Sequence, residues 1–483
     1  MTDPSADTVR PLYLNGEWVV CGEPLQVTNP ATLEMIGAVS TVGQVEVRKA
    51  LEDAEAVFPA WREATGKERG GYLRKVASLM QNRADEFARA ITLENGKPLA
   101  QSHGEVGMAI DHLQWFAEEA RRGYGRVVPH QAPGKRHLVI RRPVGVVGAI
   151  APWNFPLVLA LRKVAAGMAA GCPVVLKPAS ATPLSSVLLA ELMHAAGVPA
   201  GVFQLVAGKA SVIGQEMLSN PACRKVSFTG STEVGKELMR GAAAQVKNLS
   251  LELGGHAPVL VFDDADLGQA VEGAMITKFR NTGQSCVASN RLYVQRSIYD
   301  AFMDKFVTQT QALKVGNGLD DGVDIGPLID EAGLECALAH IEDAVARGAE
   351  VVCGGKAAEG AGAGHFLEPT ILTGVPSDAR CMREETFAPV MPVLPFDDEE
   401  EAVAAANDTP YGLASYAFTR DIARVWRLSE RLDAGSIAIN DAVPAASPCP
   451  FGGTKESGLE RELGTEGLNA YLETKHISLG GID

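Results

Sequence analysis

The chain has 483 residues, of which 46% are apolar and 21% are charged, and its formal net charge is −15. This length is too great for one hydrophobic core and predicts two or three domains. The acidic balance argues against a nucleic-acid partner, because phosphate backbones bind basic surfaces. No apolar run approaches the ~20 residues of a membrane helix, and residues 1–5 lack the basic and apolar regions of a signal peptide. We therefore expect a cytoplasmic protein that binds neither nucleic acid nor membrane.

The region before residue 120 is predicted to be mostly helical, with helical periodicity at 47–61 and 70–95, and to pack on the α/β unit that follows. That unit is marked by short apolar runs, each predicted to be a buried strand, at 144–150, 173–177, 202–206, 225–228 and 249–253. A helix follows most of them, for example at 183–196. Short apolar strands that alternate with helices indicate a parallel sheet covered on both faces.

A second series of predicted strands follows the pair Gly254-Gly255, at 291–295, 350–353, 415–419 and 436–440, with a helix at 331–347. We therefore predict two α/β units joined near these glycines. Two further segments, 122–141 and the tail from 467, fit neither unit, and each contains a strand-like run (138–140 and 476–479). These runs are compatible with pairing between subunits and equally with an ordinary edge hairpin.

The eight cysteines and nine histidines are dispersed along the chain. The cysteines form no metal-binding or redox pair, which is typical of free thiols in a reducing compartment. The histidines form no zinc motif of the His-Glu-x-x-His type. We expect no metal ion.

Residues 229–235 follow a predicted strand and open a helix, as a dinucleotide-binding turn does. Gly230 and Gly235 occupy the first and last positions of the Gly-x-Gly-x-x-Gly pattern, but Thr232 replaces the middle glycine. Ser231 and the helix N-terminus can still receive a phosphate. Lys177 and Ser180 end a neighbouring strand, where cofactors dock in parallel sheets. A common strand-to-helix turn and a solvated loop lysine are the alternatives.

Three residues offer the parts needed for covalent chemistry on a carbonyl group. Cys286 follows small polar residues that suit an accessible turn, although cysteine is more often a buried small hydrophobe. Glu252 ends an apolar strand, where burial would raise its pKa and suit a general base; a salt-bridged strand end is the alternative. Asn154 lies between prolines, where it can donate to an oxyanion or cap a helix.

These motifs, taken in order, resemble the aldehyde dehydrogenase superfamily from about residue 12 to the C-terminus. The matching segments are 152–156, 176–179, 228–235, 252–258, 284–286, 384–387 and 450–453. The resemblance implies an α/β fold with two Rossmann-like parallel-sheet domains and a small β oligomerisation domain. It divides the chain into a cofactor-binding domain (1–121 and 142–253), a catalytic domain (254–441), an oligomerisation domain (122–141 and 467–483) and a return segment that lines the substrate site (442–466). It also implies a homodimer or homotetramer.

The resemblance implies a mechanism in which Cys286 attacks the aldehyde, with the oxyanion held by Asn154 and the Cys286 backbone N–H. Oxidation by NAD(P) then leaves a thioester, which Glu252 hydrolyses by activating water. The implied cofactor-binding residues are Trp153, Lys177, Ser180, Gly230, Ser231, Gly235, Leu253, Glu385 and Phe387. Many NAD-preferring relatives have glutamate in place of Ser180, which would repel a ribose 2′-phosphate. The neutral Ser180 therefore favours acceptance of NADP and leaves the use of NAD open.

Within the superfamily, the chain is most similar to bacterial succinate-semialdehyde dehydrogenases. This likeness implies that Arg162, Arg280 and Ser447 bind the substrate, with the two arginines holding its carboxylate. Either arginine could instead pair with a structural carboxylate, and Ser447 is offset by one position from the expected serine. His256 also occurs in related α-ketoglutarate-semialdehyde enzymes, so glutarate or α-ketoglutarate semialdehyde, or a broad specificity, are the alternatives. A CoA-acylating enzyme, a reductase and a non-catalytic relative are less compatible with the presence of Cys286 and Glu252.

Overall fold

The N-terminal region combines short strands with four helices in the computed structural model, which describes residues 9–481. The predicted ranges that start at residue 1 and end at 483 therefore reach outside the described residues. The elements are β1 (Val9–Arg10), β2 (Leu12–Leu14), β3 (Glu17–Val19), β4 (Leu25–Thr28), β5 (Met35–Val39), α1 (Gln44–Glu63), α2 (Gly66–Asn82), α3 (Ala84–Asn95) and α4 (Leu99–Glu119). The helical prediction is confirmed for 44–119 but missed the five strands, which are too short to show a periodicity. The run 70–95 also breaks into two helices at Arg83, whose ψ of 22° is not helical.

A hairpin follows, made of β6 (Arg126–Val128) and β7 (Lys135–Pro143). The chain then builds the first large sheet from β8 (Val146–Ile150), α5 (Val158–Ala170), β9 (Val174–Lys177), α6 (Leu184–Ala196), β10 (Phe203–Leu205), α7 (Ala210–Ser219), β11 (Cys223–Thr229), α8 (Thr232–Ala242) and β12 (Asn248–Glu252). The five strands are parallel and lie in the order β10-β9-β8-β11-β12. All five had been predicted, because each is an apolar run buried on both faces.

The second large sheet begins after Gly254-Gly255. Its elements are β13 (Ala257–Val261), α9 (Leu267–Phe279), β14 (Ser289–Gln295), α10 (Tyr299–Gln311), α11 (Glu331–Ala346), β15 (Glu350–Cys353), β16 (Thr370–Thr373), β17 (Val390–Phe396), α12 (Glu399–Asn407), β18 (Ala414–Phe418), α13 (Ile422–Arg431) and β19 (Ser436–Ile439). The strand order is β15-β16-β17-β14-β13-β18-β19, and only β15 runs antiparallel to its neighbour.

The last part of the chain returns to the first sheet through β20 (Gly458–Leu459), α14 (Gly464–Asn469) and β21 (Leu472–Gly480). Strand β20 adds to the edge of β12 with Gly458 opposite Glu252. Strand β21 pairs with the whole length of β7 and completes a three-stranded antiparallel sheet. The strand-like runs at 138–140 and 476–479 therefore pair with each other within one chain. No helix among residues 9–481 has the length and apolar character needed to cross a bilayer.

Candidate active site

Four neighbouring strands of the first sheet bring predicted site residues to one edge. Lys177 is the last residue of β9, Glu252 is the last residue of β12, and Gly230 directly follows β11. Trp153 and Asn154 lie in the loop after β8, between those strands. Because parallel strands end at a common edge, these residues converge although they are far apart in sequence.

The loop in front of the predicted nucleophile approaches this edge from the second sheet. Asn281, Thr282 and Gly283 all have positive φ angles, of 51°, 58° and 73°. Such a backbone costs on the order of 1–3 kcal/mol for each non-glycine residue and persists only where its surroundings enforce it. Here the Asn281 N–H donates to Gln101 Oε1 at 2.7 Å, and the Thr282 hydroxyl donates to the backbone oxygen of Gly326 at 3.1 Å. The position of the nucleophile is therefore fixed by the fold around it.

Cys286 lies in the walls of two cavities. The first cavity has a volume of about 220 Å³ and is lined by Pro152, Trp153, Asn154, Thr229, Gly230, Ser231, Leu253, Gly254, Cys286, Glu385 and Phe387. The second cavity has a volume of about 60 Å³ and is lined by Met108, Phe155, Val158, Leu159, Arg162, Arg280, Ser285, Cys286, Val287, 442–445 and Phe451. The Cys286 thiol can therefore contact one ligand in the first cavity and another in the second.

Burial raises the pKa of the Cys286 thiol to about 12, and the nearby carboxyl groups of Glu385 and Glu252 add to the effect. The charge of Arg162 acts in the opposite direction. The sulfur is therefore a thiol in this arrangement, and its use as a nucleophile requires a base.

Asn154 is held at both its backbone and its side chain. Its backbone oxygen accepts from Lys97 Nζ at 2.6 Å and from Asn281 Nδ2 at 2.9 Å. Its amide nitrogen donates to the backbone oxygen of Gln284 at 3.1 Å. One amide N–H is thus occupied and the other is left for a further acceptor.

The alternative that Asn154 caps a helix is wrong. An N-cap at Asn154 would start the helix at residue 155, but α5 starts at Val158 and its N-cap is Leu157. Its first backbone N–H groups, those of Leu157 and Val158, donate to Glu105 Oε1 at 2.9 and 3.2 Å. Glu105, from α4, is therefore the residue that satisfies this helix terminus.

Glu252 is a buried carboxyl group, 3% exposed, and its Oε2 has no hydrogen-bond partner in the described part of the chain. Burial raises its pKa well above the ordinary value, and the neighbouring Glu462 raises it further. The nearby cations Arg162 and Lys163 pair with Glu462 instead. The alternative of a salt-bridged strand end does not hold for residues 9–481. A raised pKa without a fixed partner is what a general base requires.

The sequence motifs missed the charged groups behind Glu252. Lys163 donates from Nζ to Glu462 Oε1 and to the Thr229 hydroxyl, the latter at 2.6 Å. Lys163 and Glu462 are both buried. The available signal was a lysine within α5, a helix in which every residue is buried, since such a cation must have a partner.

The paired glycines 254 and 255 allow the two sheets to meet at the first cavity. A Cβ on Gly255 would lie 2.1 Å from the Cys286 backbone oxygen, and one on Gly254 would lie 2.9 Å from Glu385 Oε2. Glu385 accepts from the Gly255 N–H at 3.0 Å, and burial raises its pKa to about 8. No larger residue fits at either glycine without moving the nucleophile or Glu385.

Two aromatic rings in edge-to-face contact line the first cavity. The rings of Trp153 and Phe387 lie 5.5 Å apart, nearly perpendicular to each other. Ser231 also lines this cavity, at the N-cap of α8. Gly235 does not line it: a Cβ there would lie 2.4 Å from Leu253 Cδ2, so this glycine serves the packing of α8 on the strand end.

Lys177 and Ser180 lie beyond the first cavity at the end of β9. Lys177 is buried, and its Nζ donates to the backbone oxygen of Pro178 at 2.9 Å. The alternative of a solvated loop lysine is therefore wrong, and burial lowers the pKa of Lys177 to about 8. Ser180 is exposed.

Both arginines that were predicted to bind the substrate line the second cavity, but they differ in whether a carboxylate lies beside them. Arg162 lies 3.8 Å from Glu462 Oε2 and stacks 4.7 Å above the Phe451 ring. Arg280 lies 5.3 Å from the Phe155 ring centre and has no carboxylate partner among residues 9–481. The alternative of a structural ion pair thus applies in part to Arg162 and not to Arg280.

Two other residues of the substrate prediction lie elsewhere. Ser447 does not line the second cavity, because its hydroxyl donates to Asp111 and the preceding residues 442–445 form the wall. This corrects its predicted role. His256 is buried with its Nε2 bonded to the Cys381 backbone oxygen at 3.1 Å, and it lines neither cavity. It therefore gives no support to an α-ketoglutarate-semialdehyde specificity. Residues 9–481 contain no group of three metal-ligating side chains, and the absence of a metal stays a prediction.

Two α/β units meet at a half-buried cysteine, a buried carboxyl group and an amide, which are the groups that covalent chemistry on a carbonyl carbon needs. A profile of the aldehyde dehydrogenase family matches residues 18–477, and the chain belongs to this family. The predicted family and fold class are thereby confirmed, and the chain is an NAD(P)-dependent aldehyde dehydrogenase.

The similar proteins include semialdehyde dehydrogenases. Glutarate-semialdehyde dehydrogenase of Pseudomonas aeruginosa is 51% identical over 97% of each chain. A succinate-semialdehyde dehydrogenase of Escherichia coli, whose name specifies NADP(+), is 50% identical over 97% of each chain. The crystal structure of succinate-semialdehyde dehydrogenase from Burkholderia pseudomallei has a TM-score of 0.96 with 46% identity and covers 99% of each chain.

Proposed function

We propose that the protein oxidises a short aldehyde that carries a carboxylate at its far end, with succinate semialdehyde as the first candidate. The observation that carries this proposal is the second cavity, which both Cys286 and Arg280 line and in which the Arg280 guanidinium has no carboxylate partner within residues 9–481. A guanidinium in a partly dry pocket matches a carboxylate in geometry and charge. The cavity beside Cys286 is small, about 60 Å³, which favours a short chain.

In the proposed mechanism, Cys286 Sγ attacks the aldehyde carbon, and its proton passes to Glu252, the carboxyl group with a raised pKa beside it. The resulting oxyanion is stabilised by the free amide N–H of Asn154 and the backbone N–H of Cys286. Once Glu252 has passed this proton to solvent, its carboxylate takes a proton from a water molecule whose oxygen attacks the thioester carbon. The C–S bond then breaks, the acid is released, and the proton returns to Cys286 Sγ. Lys163 forms hydrogen bonds to Glu462 and Thr229 near Glu252, and its charge and that of Glu462 act on the Glu252 carboxyl group in opposite directions.

The first cavity fits a nicotinamide cofactor. It lies at the carboxyl edge of a parallel sheet, it is flanked by the N-terminus of α8, and it opens on Cys286. A bound NAD(P) would supply the oxidation by taking up a hydride, so that Cys286 would then carry a thioester. Ser231 would hold the pyrophosphate, Glu385 and Phe387 the nicotinamide ribose side, and Lys177 the adenine ribose. Trp153, Gly230 and Leu253 would complete the walls.

We also propose that NADP is accepted. Ser180 is neutral and exposed at the end of β9, three residues beyond Lys177. A 2′-phosphate there meets no acidic side chain at position 180, and the lysine is close in sequence. The relative from Escherichia coli named for NADP(+) supports this choice.

Glutarate semialdehyde is the second candidate substrate, because the relatives named for glutarate and succinate semialdehydes are 51% and 50% identical to this chain. The two substrates differ by one methylene group, which is worth about 0.8 kcal/mol of burial and so a small selectivity. Both retain the carboxylate that the arginines require.

A panel of aldehydes assayed separately with NAD and NADP tests the proposal. The panel contains succinate, glutarate and α-ketoglutarate semialdehydes, hexanal, benzaldehyde and a cationic aldehyde. We expect kcat/KM to be highest for succinate or glutarate semialdehyde and at least ~10-fold lower for hexanal, since a charge-assisted pair contributes about 1.5–3 kcal/mol. A preference for uncharged or cationic aldehydes would contradict it.

We further propose a cytoplasmic homodimer or homotetramer, assembled through the sheet of β6, β7 and β21. The apolar side chains Val127 and Ile140 on this sheet are exposed. An exposed apolar sheet face is typical of a subunit contact. Sedimentation velocity of the full chain gives the subunit number directly.

A further inference from the structure

Lys97 and Glu105 form an ion pair that is fully buried beside the loop of Asn154. Both side chains are 0% exposed, and Lys97 Nζ lies 2.8 Å from Glu105 Oε2. Buried ion pairs add little stability, because desolvation offsets their attraction, and apolar residues of similar size often replace them without loss. Stability alone therefore does not account for this pair, and the other contacts of Lys97 and Glu105 indicate its role.

Each partner of the pair holds one end of the segment 154–158. Lys97 Nζ donates to the Asn154 backbone oxygen at 2.6 Å and lies 3.9 Å from the centre of the Phe155 ring. Glu105 accepts the first backbone N–H groups of α5, at Leu157 and Val158. The pair thus connects the Asn154 carbonyl to the start of α5 through two charged groups.

We propose that Lys97 and Glu105 are positioning residues, which fix Asn154 so that its free amide N–H points at the oxyanion. The inference rests on the proposed function, because it takes the oxyanion role of Asn154 from there. Neither residue lines either cavity, so both act through Asn154 and not on the substrate. A charged donor to a carbonyl is about twice as strong as the neutral donor Asn281 that shares this acceptor.

The effect of losing this anchor is expected to be large. A displacement of ~1 Å in a group that contacts the reacting atoms costs about 100-fold in rate. Lys97 supplies this anchor at the Asn154 carbonyl itself, so the displacement is expected at the oxyanion donor.

The test uses Lys97→Met, alone and combined with Glu105→Gln, in the full-length enzyme. Lys97→Met leaves Glu105 as an unpaired buried charge and lowers the melting temperature. Adding Glu105→Gln removes that charge while its amide oxygen still accepts from the N-terminus of α5, so the melting temperature recovers. We expect the rate of the first NADPH-forming turnover to stay ~30–100-fold low in both variants, with cofactor affinity unchanged. If Lys97→Met alone does not fold, the double variant makes the same test.

The decisive comparison adds Asn154→Ala. If Lys97 acts through Asn154, Lys97→Met slows the Asn154→Ala enzyme by less than about threefold, because the group that it positions is already absent. Either of two results would overturn the positioning role without affecting the proposed function. In the first, the double variant recovers its rate together with its melting temperature. In the second, Lys97→Met slows the natural enzyme and the Asn154→Ala enzyme equally. A normal rate in Asn154→Ala itself would instead contradict the oxyanion step of the proposed function, and the inference with it.

Discussion

The first and second cavities share Cys286 but are built differently. The first is formed mainly by strand ends, glycines and backbone at the edge of one sheet, with Trp153 and Phe387 as rings on its walls. The second is formed by side chains from α4, α5, the strained loop and residues 442–445, which are far apart in sequence. A cavity built from strand ends comes with the fold, whereas one built from scattered side chains can be changed residue by residue. We therefore expect the proposed cofactor cavity to be general and the proposed substrate cavity to be specific.

The two cavities also differ in charge. The first contains the carboxyl group of Glu385, whose pKa burial raises to about 8, while the second contains two guanidinium groups. On a chain with a net charge of −15, the two guanidinium groups give the second cavity the local positive field that the proposed anionic substrate would need.

The largest expected effect comes from the residue that both cavities share. Cys286→Ser removes the nucleophile, and we expect aldehyde oxidation to fall by more than ~1,000-fold. NADPH affinity, measured by fluorescence titration, should change less than about twofold, because the strand ends that form the first cavity are intact. Cys353→Ser, on β15 at the edge of the second sheet, is the control and should keep full activity. Substantial oxidation by Cys286→Ser would rule out a covalent adduct at this sulfur.

The next effect concerns the base that both halves of the reaction use. Glu252→Gln removes this base, and we expect both the first turnover and steady turnover to be slow, with steady turnover falling ~100- to 10,000-fold. After prolonged incubation, mass spectrometry of the quenched enzyme should show the acyl group on Cys286, because hydrolysis of the thioester lacks its base. Steady turnover without an accumulating adduct would mean that another group activates the water.

The pH dependence follows from the raised pKa of Glu252. The base works only when deprotonated, so turnover by the natural enzyme should fall as the pH is lowered through that raised pKa, above the range of an ordinary glutamate. Glu252→Gln should remove this acidic limb from the profile of its residual activity. An unchanged limb in the variant would assign it to a different group.

The second cavity provides a smaller and more selective effect. Arg280→Met removes the guanidinium that has no carboxylate partner in the described chain, and we expect kcat/KM for succinate semialdehyde to fall ~10- to 100-fold, as for a lost charge-assisted hydrogen bond. For hexanal the change should be less than about threefold. Arg240→Met, on the exposed surface of α8, is the matched control. Equal losses for both aldehydes would show that Arg280 supports the loop and not the carboxylate.

The same comparison explains how far the sequence could predict this molecule. The strands of the first sheet were predicted because each is an apolar run followed by a helix, and β15 was predicted with the bounds observed. The proposed catalytic residues Cys286, Glu252 and Asn154 lie in short motifs that can be recognised without knowledge of the fold. The strands before residue 40 were missed because four of the five are followed by another strand and not by a helix.

The remaining site residues depend on contacts between distant parts of the chain. Lys163 and Glu462 are 299 residues apart, and no local pattern announces their pairing. Lys97 and Glu105 are only eight residues apart, but their proposed role depends on Asn154, which lies 57 residues beyond Lys97. Ser447 was misassigned for a related reason, since a loop without periodicity can shift by one position and turn a side chain from the cavity to Asp111.

The smallest expected effect concerns Ser180, which lies beyond the first cavity near the end of β9. Ser180→Glu places a carboxylate at the end of β9, where a ribose 2′-phosphate would meet it, and two like charges in contact repel. We expect the KM for NADP to rise ~5- to 50-fold and the KM for NAD to change less than about threefold, because exposed charges are partly screened by solvent. Ser180→Gln, which has nearly the same size without the charge, is the control and should leave both values within about twofold. If Ser180→Gln raises the KM for NADP as much as Ser180→Glu does, size and not charge governs this position, and the neutrality of Ser180 does not explain acceptance of NADP.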